Sequence, residues 1–189
     1  MKCTTHPTIP EILILELDVY RDSRGHFLES YHSQRYHGHG LPERFVQDNL
    51  SFSERGVLRG LHYQLGVPQG KLVSVVQGEV FDVAVDIRRG SPTFGKWAGL
   101  TLSADTFTQV YIPPGFAHGF CVTSESALFA YKCTDYYAPK EERGIRWDDS
   151  TLNIQWPISD PIVSKKDGDY PGLANVSSAH LPIFAPDPN

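Results

Sequence analysis

Fourteen prolines and 16 glycines punctuate this chain of 189 residues, cutting it into short runs in which β-branched and aromatic residues alternate with polar ones. A period of two sends successive side chains to opposite faces of a strand, so such runs fit antiparallel sheet and leave little room for helix. The densest case is Lys71–Gln77, then Gly78-Glu79 as a turn signal, then Val80–Ile87, which predicts an antiparallel hairpin. In its second arm Phe81, Val83, Val85 and Ile87 share one face, expected in the core, while Asp82, Ala84 and Asp86 share a face polar enough to line a cavity. Further strands are predicted at Ile12–Leu17, Phe27–Tyr31, Val57–Tyr63, Gly95–Leu102, Thr108–Ile112, Gly119–Thr123 and Ala127–Thr134, with a helical turn near Ser33–Tyr36. Many short strands separated by turns favour an all-β sandwich, jelly roll or barrel over a βαβ fold. The expected organisation is one domain over 1–189, ending from about Pro171 in a loosely packed, extended tail.

Composition narrows the function. With 40% hydrophobic residues the chain can bury a core without staples, and 17 Lys+Arg against 22 Asp+Glu leave a net charge of −5 with no basic block. Neither nucleic acid nor an anionic membrane surface is an expected partner. No apolar run approaches the roughly 20 residues of a spanning helix, and Met1–Glu16 lacks the basic-then-apolar order of a secretory leader, so a cytoplasmic protein is expected. Cys3, Cys121 and Cys133 have neither CxxC nor ligand-like spacing, which suggests reduced thiols.

Among eight histidines, His62 and His118 stand where a sheet could present an imidazole to a cavity. His62 ends the apolar stretch Gly56-Val-Leu-Arg-Gly-Leu61, and His118 follows the Pro/Gly turn of Ile112-Pro-Pro-Gly-Phe-Ala. The other six lie in Gly-, Ser- or Arg-rich surroundings and are expected in exposed loops. A mononuclear metal site needs three or four converging His or carboxylate ligands, and His62 has neither an HxH partner nor a carboxylate among its next neighbours. Arg59 and Lys71 flank His62 and could bring cationic groups to the same mouth. Strict alternation puts Arg59 and His62 on opposite faces, so their joint use requires a bulge, for which Gly60 is suited. Tyr131, in the apolar run Ala127–Tyr131, reads in isolation as a packing residue.

Taken together, Asp22-Ser-Arg-Gly25, Gln47-Asp-Asn49, Gly56-Val-Leu-Arg-Gly-Leu-His62, Gln69-Gly-Lys71, Asp82-Val-Ala-Val-Asp86 and Ser91-Pro-Thr-Phe-Gly95 form an ordered series. Pro113-Pro-Gly-Phe-Ala-His-Gly-Phe120, Tyr131-Lys-Cys-Thr-Asp-Tyr-Tyr137, Gly144-Ile-Arg-Trp-Asp-Asp149 and Ser164-Lys-Lys-Asp167 continue it. The chain resembles the dTDP-4-dehydrorhamnose 3,5-epimerase family from about Ile12 to about Asp167. That resemblance implies a cupin-type jelly roll, usually a homodimer, that inverts C3 and C5 of a nucleotide-linked 4-keto-6-deoxyhexose without cofactor or metal. By the same resemblance His62 is the general base, Asp167 its supporting carboxylate, Tyr131 the proton donor and Lys71 the cation near the C4 oxygen. Arg24, Glu29, Gln47, Asn49, Arg59, His118, Glu142 and Lys166 fall at substrate-contacting positions. Tyr137 falls at the nucleobase-stacking position, where Phe27 is also expected. Three alternatives stay open: a relative that inverts one carbon or takes another keto-sugar, a non-catalytic nucleotide-sugar-binding barrel, and a metal-dependent cupin.

Overall fold

The computed structural model describes residues 1–185, and Pro186–Asn189 of the expected tail lie outside the described residues. The strands are β1 (Lys2–Thr5), β2 (Leu13–Glu16), β3 (Val19–Asp22), β4 (Gly25–Leu28), β5 (Gln47–Glu54), β6 (Val57–Gln64) and β7 (Lys71–Gln77). They continue as β8 (Glu79–Asp86), β9 (Trp97–Ser103), β10 (Thr108–Ile112), β11 (Phe116–Val122), β12 (Ser126–Cys133), β13 (Glu142–Gly144) and β14 (Ile162–Val163). Among the described residues helix is confined to α1 (Ser33–His37), α2 (Lys165–Gly168) and two 3-10 turns. One sheet runs β1-β2-β10-β7-β12-β5, and the second runs β13-β6-β11-β8-β9 with β14 parallel to β6. The sheets face each other as a jelly roll, the cupin-type all-β architecture expected from the sequence.

The apolar core between the sheets joins Val73, Val75, Val110 and Phe129 of the first to Val80, Ala84, Leu102, Phe120 and Val122 of the second. The outer face of the second sheet is covered as well. Leu61, Val83, Val85 and Ile87 pack there against Ile145, Leu152, Leu173 and Leu181 from the C-terminal third. Both faces of β8 are therefore buried, with Asp82 and Asp86 turned inward, where His118 and Arg88 partner them. On the outer face of the first sheet, Tyr36 and Leu41 close over Leu15, Leu72 and Tyr111.

Three expectations require correction. The runs Lys71–Gln77 and Val80–Ile87 are strands, but they do not pair. β7 lies between β10 and β12, and β8 between β11 and β9. Gly78, at φ 79°, turns the chain from one sheet to the other. A hairpin and a corner between packed sheets impose the same alternation, because each arm needs only one face turned inward. The described part of the segment after Pro171, up to Ala185, is also not loose. Its 3-10 turns bury Leu173 and Leu181, Tyr63 donates from its hydroxyl to the His180 carbonyl at 2.9 Å, and Ile183 bridges to Arg89. The strand expected at Phe27–Tyr31 is instead β4, which pairs only with β3 in a separate two-stranded ribbon.

The bulge anticipated at Gly60 is present. His118 pairs with His62 and Phe120 with Arg59, so two residues of β6, Gly60 and Leu61, oppose one of β11, Gly119. Arg59 and His62 thereby reach the same side of the sheet. Gly60 adopts φ 129°, and a Cβ there would lie 2.5 Å from the Gly119 Cα. Gly60→Ala is therefore expected to lower the unfolding free energy by about 2 kcal/mol or more, seen as a lower urea midpoint.

Candidate active site

At one end of the inter-sheet space the core gives way to a cavity with two adjoining lobes, of about 510 and 330 Å³, that share His62, Lys71 and Tyr131. The second sheet supplies His62 from β6 and His118 from β11, and the first supplies Tyr131 from β12 and Lys71 from β7. An imidazole and a phenol therefore approach the cavity from opposite walls. The larger lobe also takes in Arg59, Lys166 and Asp167, and the smaller one Gln47, Asn49, Tyr137 and Glu142.

His62 is fixed by Asp167, whose Oδ1 lies 2.7 Å from Nε2. A carboxylate facing Nε2 makes that nitrogen the donor, leaving the Nδ1 lone pair free. Asp167 also accepts from the Gly60 amide at 3.3 Å. Ser164 caps α2 by accepting from the Asp167 amide, so the carboxylate projects from a defined turn. Burial raises the Asp167 carboxyl pKa, but the His62 hydrogen bond and charge, with Gly60 and Ser164, outweigh burial and hold it below the ordinary 3.8.

His118 repeats the arrangement one strand over, with Nε2 at 2.8 Å from the buried Asp82 carboxylate. Burial pushes the His118 imidazole pKa down, Asp82 pulls it up, and Lys71 and His62 add to the fall. The sequence placed Asp82 on a cavity-lining face without giving it this role. Lys71 reaches both lobes with no hydrogen-bond or ion-pair partner among the described residues. Burial pushes its ammonium pKa down against the fields of Cys133, Asp82 and Glu142. Burial likewise raises the Tyr131 hydroxyl, which keeps it protonated at neutral pH.

The rim is tied together by Glu142. Its Oε2 accepts from the Tyr137 hydroxyl at 2.7 Å and pairs with Lys166, while the Gln47 side chain accepts from the Tyr137 amide at 2.8 Å. Gln47 in turn donates to Asn49 at 2.9 Å. Of the two adjacent lysines, Lys166 lines the cavity and Lys165 turns away to Asp169. Arg59 is held by Ser53, to whose Oγ its Nε donates at 3.0 Å.

Three expected substrate contacts are not in this cavity. Arg24 and Phe27 sit on the β3–β4 ribbon and line a separate surface hollow, and Glu29, just beyond it, pairs with Arg35. None of the other six histidines lines the cavity. His26 lies in strand β4 and His37 in α1, not in loops, and His6 and His32 are partly buried. Sequence reasoning missed β5, α2 and the Phe120 and Phe129 wall of the larger lobe, whose rings stack at 4.2 Å. Among the described residues no cluster of three or more His, Cys, Asp and Glu side chains is disposed to hold a metal ion, and no helix is long and apolar enough to cross a membrane.

Comparison with known proteins gives the chain close relatives. The family described as dTDP-4-dehydrorhamnose 3,5-epimerase matches residues 6–175. The dTDP-4-dehydrorhamnose 3,5-epimerase of Pseudomonas aeruginosa is 56% identical over 165 residues, covering 86% of this chain and 91% of that protein. The Shigella flexneri enzyme of the same name is 55% identical over 161 residues, covering 84% and 89%. Among solved structures, the dTDP-6-deoxy-D-glucose-3,5-epimerase of Legionella pneumophila, in complex with dTDP-4-keto-L-rhamnose, superposes with a TM-score of 0.95 at 50% identity, covering 98% of this chain and 99% of that one.

The Asp167 contribution has a definite pH signature. A carboxyl whose folded pKa is depressed stabilises fully above its unfolded pKa, here 3.8, and loses that contribution as pH falls through the lower folded value. The stability difference between wild type and Asp167→Asn is therefore expected to be constant from about pH 6 to 5 and to shrink below about pH 4, as read by urea unfolding at each pH.

Proposed function

The chain belongs to the dTDP-4-dehydrorhamnose 3,5-epimerase family, an isomerase class, and on that premise we propose that it inverts C3 and C5 of dTDP-4-keto-6-deoxy-D-glucose with His62 as base and Tyr131 as acid. The observation that carries this reading is the placement of the Asp167-bound His62 and of Tyr131 on opposite sheets, with an unpartnered Lys71 in the space between.

Both C3 and C5 adjoin the C4 ketone, so loss of either proton yields an enolate whose charge resides mainly on the C4 oxygen. Nδ1 of His62 takes the proton, and Asp167 stabilises the imidazolium that forms. Lys71, with His118 beside it, receives the developing oxyanion. An ammonium held in a partly desolvated site, with no competing counter-ion, needs little reorganisation to do so. Inversion returns the proton from the opposite side of the ring, and Tyr131 stands on that wall. Arg59 and Lys166 neutralise the diphosphate, Lys166 exchanging its Glu142 partner for a phosphate oxygen. Tyr137, half-exposed and braced by Glu142 and Gln47, offers a flat face to the nucleobase, and Asn49 completes the rim.

The reading takes the whole chain as one jelly-roll unit that works as a homodimer. Arg24, Phe27 and Glu29 can be substrate contacts only if the β3–β4 ribbon reaches a site other than its own. The ribbon is well suited to that: it pairs with no other strand, and Tyr20 and Phe27 on it are 65% and 70% exposed. Edge strand β5 adds Leu50 and Phe52, both uncovered, as a contact face for a second copy.

Incubation with dTDP-4-keto-6-deoxy-D-glucose in D₂O, with NMR at C3 and C5, tests the reaction. Deuterium at both carbons is expected, label at one carbon would mean a single-site epimerase, and no label would refute the assignment. His62→Ala should abolish exchange at both carbons with nucleotide binding retained, and Lys71→Met should cost about 10²–10³ in kcat. The dimer is tested by mixing inactive Arg24→Ala and His62→Ala proteins after reversible dissociation. A shared site restores about a quarter of wild-type activity, whereas sites confined to one chain restore none.

A further inference from the structure

Building on the reading of His62 as the base, we propose that Tyr170 is a positioning residue that sets the plane of the His62 imidazole. The hydrogen bond to Asp167 fixes one corner of the ring at 2.7 Å. It leaves the ring free to swing about that corner, because the terminal torsion of histidine has a broad, shallow profile. A lone pair on Nδ1 is useful only if the ring plane aims it at the substrate, so a second contact is needed.

Tyr170 supplies that contact. Its ring meets the imidazole edge-on, with centroids 5.9 Å apart and planes at 71°, the favoured aromatic arrangement. The tyrosine is itself held in place. Gly144, the β13 residue paired with His62, exposes bare backbone to it, and a Cβ there would fall 2.3 Å from the Tyr170 Cε2. The next residue but one is pinned as well, the Arg146 amide donating to the Pro171 carbonyl at 2.9 Å. Tyr170 lies two residues beyond α2, which carries Asp167, so one short segment delivers both the hydrogen bond and the ring contact. The Tyr170 hydroxyl is buried and makes no hydrogen bond to His62; its polar neighbour is the Lys166 ammonium, which is engaged by Glu142. What Tyr170 does for His62 it therefore does with its ring.

The test compares Tyr170→Leu, Tyr170→His and Tyr170→Phe by steady-state kinetics on dTDP-4-keto-6-deoxy-D-glucose, with His62→Ala alongside and thermal midpoints recorded. Tyr170→Leu fills the space without a flat edge and is expected to lose about 10- to 100-fold in kcat with KM changed less than about threefold, while Tyr170→Phe restores kcat. A Leu variant with wild-type kcat, or a Phe variant as impaired as Leu, overturns the proposal. Should Leu not fold, the smaller ring of Tyr170→His decides: kcat below that of the Phe variant supports the proposal, and equal kcat overturns it. Exchange retained in His62→Ala would instead overturn the assignment of the base, and the proposal with it.

Discussion

Asp167 is 3% exposed, and a carboxylate so far removed from water is stable only where its oxygens are paired. One oxygen takes the His62 ring and the other the Gly60 amide. Each partner imposes a condition on the fold. The ring needs a strand that can turn His62 inward, the amide is available because the β6 bulge frees it, and the carboxylate needs α2 seated under the sheet by β14. Bulge, helix turn and parallel strand are thus three consequences of one buried charge, and the same charge leaves the far nitrogen of His62 free for chemistry.

The inter-sheet space is a single interior with two characters. Where Val73, Val75, Val80 and Phe129 meet, it is close-packed; toward Lys71 and His62 it is polar and hollow. Strand β5 shows the cost of this arrangement. Gln47, Asn49 and Ser51 face inward because they line or border the cavity, while Leu50 and Phe52 face out, the reverse of an ordinary sandwich strand. A second copy of the chain covering that outer face, as proposed above, would bring β5 back into line with its neighbours.

The same inversion explains what could be read from sequence. Strands with one apolar inward face, such as β7, β10 and β12, and β8 with both faces buried, were legible within a residue or two. β5 was not, since its alternation points the wrong way, and the ribbon β3–β4 was misplaced because it packs against no core. Alternation says which face turns inward but not toward which sheet, hence the false hairpin at Gly78. At the site, His62, Lys71 and the need for a bulge at Gly60 were visible from residue type and spacing, whereas Tyr131 by itself reads as a packing residue and was singled out only through the family resemblance. The pairings of His62 with Asp167 and His118 with Asp82 span 105 and 36 residues, and no local pattern encodes them. Asp167 could be named only through the family resemblance.

That separation of 105 residues between imidazole and carboxylate also orders events in time. During synthesis the strands of both sheets down to β13 emerge before α2, so the sandwich can begin to form around an imidazole that has no partner. At about 5–20 residues per second the carboxylate follows the imidazole by on the order of 5–20 s. The nascent chain thus passes through a stage in which the strands around the cavity are made and the His62 imidazole is still unaligned, and its alignment waits for α2 to emerge.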